Sequence, residues 1–418
     1  MRQPTGRTSW QQRICGVVIF GAVFSGLGHL GWTVWSVFGR EIRPSEVVRA
    51  AEPTLEEPTV EKPPAPSEPL PMTHLKTPAE VRGLYWTAAT AGSDRKEELL
   101  VYMAEAGINT VVIDLKMDNG ELAFLPNDEN LKRFSQEKPA IEDLDALLRR
   151  LGEQNLYRVA RIAVMRDGAF AVNHPEWALK RSDGEFWKDS IGSLWVDPAV
   201  PEIADYALAL GREAFQRGFD EVQFDYVRFP SDGRVEVIHY PVFDGQPTMV
   251  QVMQTFFKTV GGGLRAEQIP VSFDVFGITL WSTDGYDYNI GQRLVDIYPY
   301  ADFISPMVYP SHYPADFEGY KNPALYPYEV VKKSLDKGAE LLEKELEIDP
   351  EVSQKKFRPW LQDFDIGAVY DAKKIEEQIR ASREAGASGW MLWNARNVYE
   401  PADYWSPPYR YSERSEAE

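Results

Sequence analysis

An aspartate stands at the end of a short alternating segment near the middle of the chain. Residues 221–233 read EVQFDYVRFPSDG, and the Pro-Ser-Asp-Gly sequence ends the alternation. Successive side chains of a β-strand point to opposite sides, so Phe224 and Asp225 belong to opposite faces of the predicted strand. A carboxylate at such a strand end is typical of a catalytic nucleophile or base. We predict that role for Asp225 and expect Arg228 or a neighbouring donor to hold it ionised; a purely structural ion pair of Asp225 and Arg228 is the alternative.

A second acid occupies the same kind of position in residues 269–277, which read IPVSFDVFG. Asp274 lies among phenylalanines, and burial beside aromatic rings raises the pKa of a carboxyl group because it disfavours the charged form. We predict that Asp274 is a general acid; its alternative role is to cap the loop that follows. Asp363 or Asp365 could replace it as the acid.

Other polar and aromatic side chains near predicted strand ends are candidates for binding the substrate. Asp114 and Lys116 could form an electrostatic pair that orients it, although a structural salt bridge explains the same spacing. Aromatic rings offer flat apolar faces to a ligand. The predicted substrate-binding residues are Asp114, Lys116, Arg228, Tyr309, Trp360, Gln362, Asp363 and Trp393.

The rarity of histidine and cysteine excludes several kinds of catalytic site. The five histidines form no His-x-His or His-Glu-x-x-His arrangement, which argues against transition-metal catalysis. Carboxylate binding of Mg²⁺ or Ca²⁺ stays open. No Gly-x-Ser-x-Gly elbow is present, and the single cysteine, Cys15, lies in an apolar N-terminal run. We therefore predict no metal and no cofactor, and carboxylates remain as the reactive groups.

The charge and composition of the chain narrow the partners. A formal net charge of -19 and a pI near 4.9 argue against nucleic acid, because phosphate binding needs a clustered basic surface.

Glycoside hydrolysis uses two carboxyl groups, one protonated to donate to the leaving oxygen and one ionised as nucleophile or base. Aromatic residues make up 12% of the chain, which suits a carbohydrate substrate.

Repeated helix-to-strand units must position these residues. Three segments close a helical pattern with Gly107, Gly218 or Gly386 and continue into a β-branched or aromatic run. Eight strands are predicted near residues 84, 112, 160, 224, 273, 305, 361 and 391, with seven helices at 94–106, 141–153, 201–217, 248–260, 289–298, 328–347 and 371–385. Eight alternations in about 330 residues favour a (β/α)8 TIM barrel over a doubly wound sheet, whose Gly-rich phosphate turn is missing.

In such a barrel one face of each strand meets the helices and the other fills the barrel. Strand periodicity gives three inward sets with polar members: Val112, Asp114 and Lys116; Ser272, Asp274 and Phe276; and Arg358, Trp360 and Gln362. Acids at the carboxyl ends of parallel strands meet on one rim, where barrel active sites lie. We therefore expect the acids of different strands to converge there.

The N-terminal part of the chain has a different composition. Residues 14–38 contain no charged residue and are long enough as a helix to cross a bilayer. We predict a transmembrane anchor there, oriented with the barrel outside the cytoplasm because three arginines and no acid precede it; a cleaved signal peptide is the alternative. The predicted organisation is a cytoplasmic N-terminus at 1–13, the anchor at 14–38, a disordered Pro/Glu-rich linker at 39–80, the barrel at 81–405 and a polar tail at 406–418.

The region from about residue 81 to residue 400 resembles the glycoside-hydrolase-like barrels long classed as a domain of unknown function, which are usually exported and anchored. The matching stretches are RGLYWTAATAG, NTVVIDLKMDNGEL, VQFDYVRFPSDG, VSFDVFG, ISPMVYPSHYP, RPWLQDF and GWMLWNA. The resemblance implies a triosephosphate-isomerase-type barrel that acts on glycans, without defining the substrate. The chain is more distantly similar to the alpha-amylase-type barrels, where an Asp ending strand four is the nucleophile and an acid ending strand five is the proton donor. Asp274 differs from the Glu that those barrels have on strand five.

These observations favour a membrane-anchored glycosidase that acts on a cell-surface or extracellular polysaccharide. A catalytically silent glycan-binding barrel is the alternative, in which aromatic rings bind the sugar and the acids accept hydrogen bonds from its hydroxyl groups. A scaffold that presents an acidic surface to partner proteins is a third hypothesis.

Overall fold

The computed structural model of the chain describes residues 73–282, 285–401 and 404. Eight parallel strands pair in sequence order, and the last pairs with the first, which closes the sheet into a barrel. They are β1 (Val81–Trp86), β2 (Thr110–Lys116), β3 (Tyr157–Ala163), β4 (Glu221–Asp225), β5 (Val271–Phe276), β6 (Phe303–Met307), β7 (Trp360–Gln362) and β8 (Gly389–Trp393). The prediction of a (β/α)8 TIM barrel is confirmed.

Helices lie between successive strands. In the described part of the chain they are α1 (Ala88–Gly92), α2 (Arg95–Glu105), α3 (Glu129–Lys132), α4 (Leu144–Glu153), α5 (Gly168–Asn173), α6 (Pro201–Arg217), α7 (Met249–Ala266), α8 (Leu294–Ile297), α9 (Pro327–Leu346), α10 (Pro350–Ser353) and α11 (Ala372–Glu384). Short 3-10 helices occur at Val235–Val237, Gly277–Trp281, Tyr298–Tyr300, Pro310–His312, Pro323–Leu325 and Gln354–Lys356.

Six of the seven helices predicted from the sequence are present, and the one expected at 289–298 is reduced to α8. Asn289 and Gly291 have φ of 57° and 70°, outside the helical range, so the helix begins only after them. The predicted glycine ends of helices are confirmed at Gly107, Gly218 and Gly386, which have φ of 67°, 114° and 75°. Glycine adopts this left-handed conformation without the strain of a Cβ atom.

Apolar side chains pack on both sides of the sheet. Val111, Ile113 and Leu115 of β2 belong to the core between the barrel and the helices. A second, smaller core fills the barrel and contains Val81, Tyr85, Val112, Tyr157, Val159, Tyr309, Trp360 and Met391. The predicted alternation of β2 is therefore confirmed, and the interior of the barrel is packed rather than open.

A long connection between β3 and α6, residues 164–200, lies beside the exit of β4. Antiparallel bridges join Ala178 to Val196 and Lys188 to Leu194 within it. The connection returns to the barrel at Trp195, whose ring packs edge-on against Tyr226 with 5.8 Å between the ring centres. Its position makes this connection one wall of the rim.

The last residues of the predicted linker contact the N-terminal ends of the strands. The carbonyl oxygen of Thr73 accepts a hydrogen bond from Arg158 Nη2 at 2.9 Å, and the backbone N–H of Leu75 donates to Asp220 Oδ1 at 2.7 Å. Within the described ranges, no helix combines the length and the apolar composition that crossing a membrane requires. The predicted anchor at 14–38 and the predicted tail at 406–418 lie outside those ranges.

Candidate active site

Asp225 ends β4 at the carboxyl-terminal rim of the barrel. The next residue, Tyr226, has φ of 54°, so the chain turns sharply away from the strand direction. The turn brings the backbone N–H of Tyr226 to within 2.6 Å of Asp225 Oδ1, which accepts its hydrogen bond. The other oxygen, Oδ2, accepts a hydrogen bond from Arg161 Nη2. Both oxygens of a buried carboxylate are thus held in place.

Arg161, from β3, joins three carboxyl groups from three other strands. Its Nη1 donates to Asp114 Oδ1 at 2.5 Å, its Nη2 donates to Asp225, and its Nε lies 3.6 Å from Asp274 Oδ2. All four side chains are buried. One guanidinium cannot balance three carboxylates, and an uncompensated buried charge is costly. At least one of the three carboxyl groups is therefore expected to be protonated at neutral pH.

Asp274 is the carboxyl group with the fewest partners. Its Oδ1 accepts a hydrogen bond from Trp360 Nε1 at 2.8 Å, whereas its Oδ2 is buried and has no hydrogen-bond partner among the described residues. Burial, and then the negative charge of Asp225, raise the pKa of Asp274 well above its usual value, although Arg161 opposes the shift. A protonated carboxyl group with a free oxygen is what a general acid requires.

Asp114 is held from two sides and does not pair with Lys116 as predicted. The hydroxyl of Tyr85 donates to Asp114 Oδ2, and Arg161 donates to Oδ1. Burial raises the pKa of Asp114, and Arg161 opposes the rise. Lys116 instead donates to the carbonyl oxygen of Ala163 and lies 2.8 Å from Asp167 Oδ2. The register of β2 against β3 also shifts between residues 114 and 116.

Of the two possibilities predicted for Asp225, a donor from Arg228 or a neighbouring donor, the structure shows the second, because Arg161 donates to Asp225 and Arg228 does not. Arg228 follows the sharp turn at Tyr226, and its Nη1 donates to the carbonyl oxygen of Phe229 at 3.0 Å and to Ser231 Oγ at 3.1 Å. No carboxylate of the described residues lies within 4.0 Å of it. The positive φ at residue 226 redirects the chain, so strand periodicity no longer applies beyond Asp225.

Aromatic rings adjoin the acids on the β1 and β8 side of the rim. Tyr85 and Trp393 are stacked with 4.0 Å between ring centres, and Trp360 meets Trp393 edge-on at 5.4 Å. The guanidinium carbon of Arg161 lies 5.0 Å from the ring centre of Trp393. Trp393 is partly exposed. Trp393 therefore contacts the acid cluster through Tyr85 and Arg161, and part of its side chain stays exposed to a ligand.

A family model described as "DUF4015: Putative glycosyl hydrolase domain" matches residues 83–399. This chain belongs to that family. The match covers every strand of the barrel except the first two residues of β1. The enzyme class expected from the sequence is confirmed: the chain is a glycoside hydrolase, and the family leaves its specificity open.

The chain is similar to several solved structures, and one of them has a TM-score above 0.5. The glycoside hydrolase domain of PgaB (BpsB) from Bordetella bronchiseptica is 13% identical, with 76% of this chain and 95% of that chain covered and a TM-score of 0.52. A hypothetical protein from Ruminiclostridium thermocellum is 27% identical over 46% of this chain and 97% of its own, with a TM-score of 0.39. A chitinase from Chromobacterium violaceum is 13% identical over 78% and 96%, with a TM-score of 0.45. No curated protein matches the chain.

The structure brings the carboxyl groups of Asp114, Asp225 and Asp274 together, and that of Asp363 lies outside this cluster. The carboxyl group of Asp363 lies near Tyr399 and Glu400 of the C-terminal segment, where burial raises its pKa to about 8. Asp365 accepts a hydrogen bond from the backbone N–H of Tyr370 at 2.7 Å. Neither residue contacts Arg161, so neither shares the cation that joins the other three acids.

Gln362 and Tyr309 lie at the rim but support neighbouring loops. Gln362 Oε1 accepts a hydrogen bond from the backbone N–H of Ser311 at 3.1 Å, and its Nε2 donates to the carbonyl oxygen of Phe364 at 2.9 Å. Tyr309 is buried and meets Phe364 edge-on with 5.5 Å between ring centres. Both side chains connect the loops after β6 and β7. Their roles in substrate binding, like those of Trp360 and Trp393, stay predictions.

Two members of the acid cluster were not predicted in their roles from the sequence. Arg161 is the cation of the cluster, and the Tyr85 hydroxyl donates a hydrogen bond to one of its acids. The signal for Arg161 was present in residues 157–163, YRVARIA, where an arginine interrupts an apolar strand at an inward position. An unpaired charge inside a barrel needs an acidic partner. Within the described ranges, no group of three His, Cys, Asp or Glu residues has the geometry of a metal site.

Proposed function

We propose that the chain is a membrane-anchored, extracytoplasmic glycoside hydrolase that cleaves a cell-surface or extracellular polysaccharide with Asp225 and Asp274. The observation that carries the proposal is the asymmetry of the two carboxyl groups. Asp225 has both oxygens engaged by donors, one of them a guanidinium, whereas Asp274 has one buried oxygen without a partner and a raised pKa. Two carboxyl groups whose environments differ in this direction are suited to base or nucleophile and to acid, respectively.

In the proposed reaction Asp274 Oδ2 donates its proton to the glycosidic oxygen as the bond from that oxygen to the anomeric carbon breaks. The bonding electron pair leaves with the oxygen, and positive charge develops on the sugar ring. Asp225 then either takes a proton from a water molecule that attacks the anomeric carbon, or attacks that carbon itself to form a glycosyl ester. In the second case water hydrolyses the ester after giving a proton to the Asp274 carboxylate, which releases Asp225. Water is added across the bond in both variants. The anomeric configuration of the first product, read by NMR, separates retention from inversion.

Arg161 has two functions in this proposal. It donates hydrogen bonds to Asp225 and Asp114, and its Nε lies at a longer distance of 3.6 Å from Asp274 Oδ2. The cation therefore interacts more strongly with the first two carboxyl groups than with that of Asp274. Trp393, stacked on Tyr85, supplies a flat face against which a sugar ring can pack.

The location of the enzyme is proposed from the sequence of the N-terminal part. The uncharged run at 14–38 and the arginines before it support a signal anchor with the barrel on the outer side. The test is protease treatment of intact spheroplasts that express the full chain. Digestion of the barrel without lysis supports the proposal, and full protection until lysis contradicts it.

The hydrolase proposal is tested with the full chain in detergent on a panel of polysaccharides, with the release of reducing ends as the measurement. We expect Asp225→Asn to lower turnover by roughly 10³-fold or more while binding of the same glycan persists. Asp183→Asn is the matched control, because Asp183 is exposed and, among the described residues, forms an ion pair with Arg181 and accepts a hydrogen bond from the backbone N–H of Glu185. A wild-type chain that binds glycans and cleaves none would support the silent glycan-binding barrel instead.

A further inference from the structure

Arg228 lies at the same rim, between the exits of β4 and β5. Its guanidinium carbon is 4.4 Å from the ring centre of Phe276, the last residue of β5, and 5.1 Å from that of Trp195. Tyr226 provides a third ring at 5.7 Å. The side chain is only 6% exposed. The guanidinium group of Arg228 is thus held by packing against aromatic rings. One of these rings belongs to Phe276, which lies two residues after Asp274 in β5.

Arg228 differs from the other buried cations of the described residues. The buried lysine and arginine side chains are Lys116, Arg158, Arg161, Arg166, Arg228 and Arg358. Each of the others has a carboxylate oxygen within 4.0 Å, whereas Arg228 has none. Burial lowers the pKa of Arg228, yet an arginine side chain stays protonated at neutral pH. The charge at this position is thus buried and, among the described residues, has no carboxylate in direct contact, although Asp232 and Asp225 act on it from a longer distance.

The unused edge of the guanidinium group is not fully enclosed. Nη1 donates to the carbonyl oxygen of Phe229 and to Ser231 Oγ, which orients the plane of the group. Nε and Nη2 make no hydrogen bond, and neither is enclosed in the way that the unpartnered Nε and Nη2 of Arg358 are. Together Nε and Nη2 form the edge of an arginine that donates two parallel hydrogen bonds to a carboxylate or a similar oxyanion.

We propose that Arg228 binds an acidic substituent on the sugar next to the cleaved bond, so that the substrate is an anionic polysaccharide. The inference rests on the proposed function, because it names the substrate of the same rim. A carboxylate of a uronic acid and a sulfate ester present the same pair of oxygens to the guanidinium edge. Salt near 0.15 M screens the repulsion between an acidic polymer and the distant negative charges of the chain, with a Debye length of about 8 Å, so contacts inside the site decide the affinity.

The test measures binding by the full chain in detergent, with isothermal titration calorimetry at 0.15 M salt. The probes are hexasaccharides of galacturonate, alginate and hyaluronan, sulfated hexasaccharides, and the same uronates with their carboxyl groups reduced to hydroxymethyl groups. We expect at least one acidic probe to bind and its reduced or desulfated form to bind more weakly. Arg228→Gln is expected to weaken binding of that acidic probe roughly 10- to 100-fold, the size of a charge-assisted hydrogen-bond pair.

Two further variants keep the test interpretable. Arg234→Gln removes the same charge from the neighbouring loop, where the side chain is 79% exposed, and is expected to leave binding unchanged. Arg228→Lys keeps the charge but loses the two-donor edge, so its affinity is expected to fall between those of the wild type and Arg228→Gln. Thermal melting of each variant shows that the fold is intact.

The outcomes separate this inference from the proposed hydrolysis. No affinity for any acidic probe, or an equal loss on acidic and neutral probes in Arg228→Gln, would overturn the inference. A neutral glycan cleaved equally well by the wild type and Arg228→Gln overturns it while the hydrolase proposal stands. An acidic probe that binds through Arg228 but is never cleaved supports the inference and counts against hydrolysis. A preference for sulfated over uronate probes supports it with sulfate as the oxyanion.

Discussion

The barrel encloses a buried polar cluster at each end, and the two clusters differ in their balance of charge. At the N-terminal ends of the strands, Glu221 accepts hydrogen bonds from Ser272 Oγ at 2.6 Å, Arg358 Nη1 at 2.8 Å and the Tyr157 hydroxyl at 3.1 Å. One acid faces one base, and both carboxylate oxygens have donors. This cluster has the composition of a structural ion pair.

At the C-terminal rim, the cluster around Arg161 holds three acids and one base, and the buried Arg228 lies outside its direct contacts. Arg161 faces Asp114, Asp225 and Asp274, and Asp274 Oδ2 has no partner among the described residues. Nothing in the local propensity of the strands explains a surplus of buried carboxyl groups, which lowers stability. The acids at the rim are therefore arranged for reactivity at a cost in electrostatic stability, whereas the ion pair at the opposite end stabilises the fold. Perturbed groups of this kind mark functional sites.

The largest expected effect that tests this comparison comes from the unpartnered acid. Asp274→Asn is expected to lower kcat on an unactivated glycan by about 10²- to 10⁴-fold, the usual contribution of a general acid. Because the pKa of Asp274 is raised, the wild type should lose activity as pH rises through that value, and the variant should lack this alkaline limb. The measurement is the pH profile of kcat for both forms. An alkaline limb that persists in the variant would assign the acid to another residue.

Asp274→Asn also carries a prediction about stability. A carboxyl group whose pKa is raised in the folded state stabilises the protein when protonated, and this contribution is lost as pH rises through the raised value. Asparagine does not ionise, so we expect the variant to match or exceed the stability of the wild type at alkaline pH. Urea unfolding at pH 5 and pH 9 measures the difference.

The opposite end of the barrel should respond in the reverse way. Glu221→Gln leaves Arg358 buried without its counter-charge and is expected to lower the free energy of unfolding by about 3–5 kcal/mol. Below the melting temperature kcat should stay unchanged, because the residue lies at the far ends of the strands. Glu185→Gln, at an exposed position, is the control for urea unfolding. A specific loss of kcat in a folded Glu221→Gln protein would contradict the division between the two ends.

The smallest expected effect concerns a supporting hydrogen bond at the rim. Tyr85→Phe removes the hydroxyl that donates to Asp114 and keeps the ring stacked on Trp393. The loss of one such bond is about 1 kcal/mol, which corresponds to a several-fold decrease in kcat/KM. Steady-state kinetics on the best glycan of the panel measures it. A decrease as large as that of Asp274→Asn would place the Tyr85 hydroxyl among the reacting groups.

The barrel and the rim on which its acids meet could be predicted from the amino-acid sequence alone. Two local rules made this prediction possible. Side chains alternate along a strand with a period of two, as in residues 221–225, and glycine ends a helix in the left-handed conformation, as at Gly107, Gly218 and Gly386. Both rules hold before any tertiary contact forms. Parallel strands bring their carboxyl ends to one side, so the convergence of Asp225 and Asp274 followed from connectivity alone.

The pairing of the buried charges, in contrast, follows from the folded barrel. Arg161, rather than Arg228, faces Asp225, and Asp167, rather than Asp114, faces Lys116. These pairings depend on the stagger of neighbouring strands, on the register shift in β2 and on the positive φ of Tyr226. Each of these features shifts a side chain relative to the side chains of neighbouring strands. An ion pair requires contact within a few ångströms, so such a shift changes which groups pair. Periodicity in the sequence specifies the face of a strand, and the partner across the barrel is a property of the closed sheet.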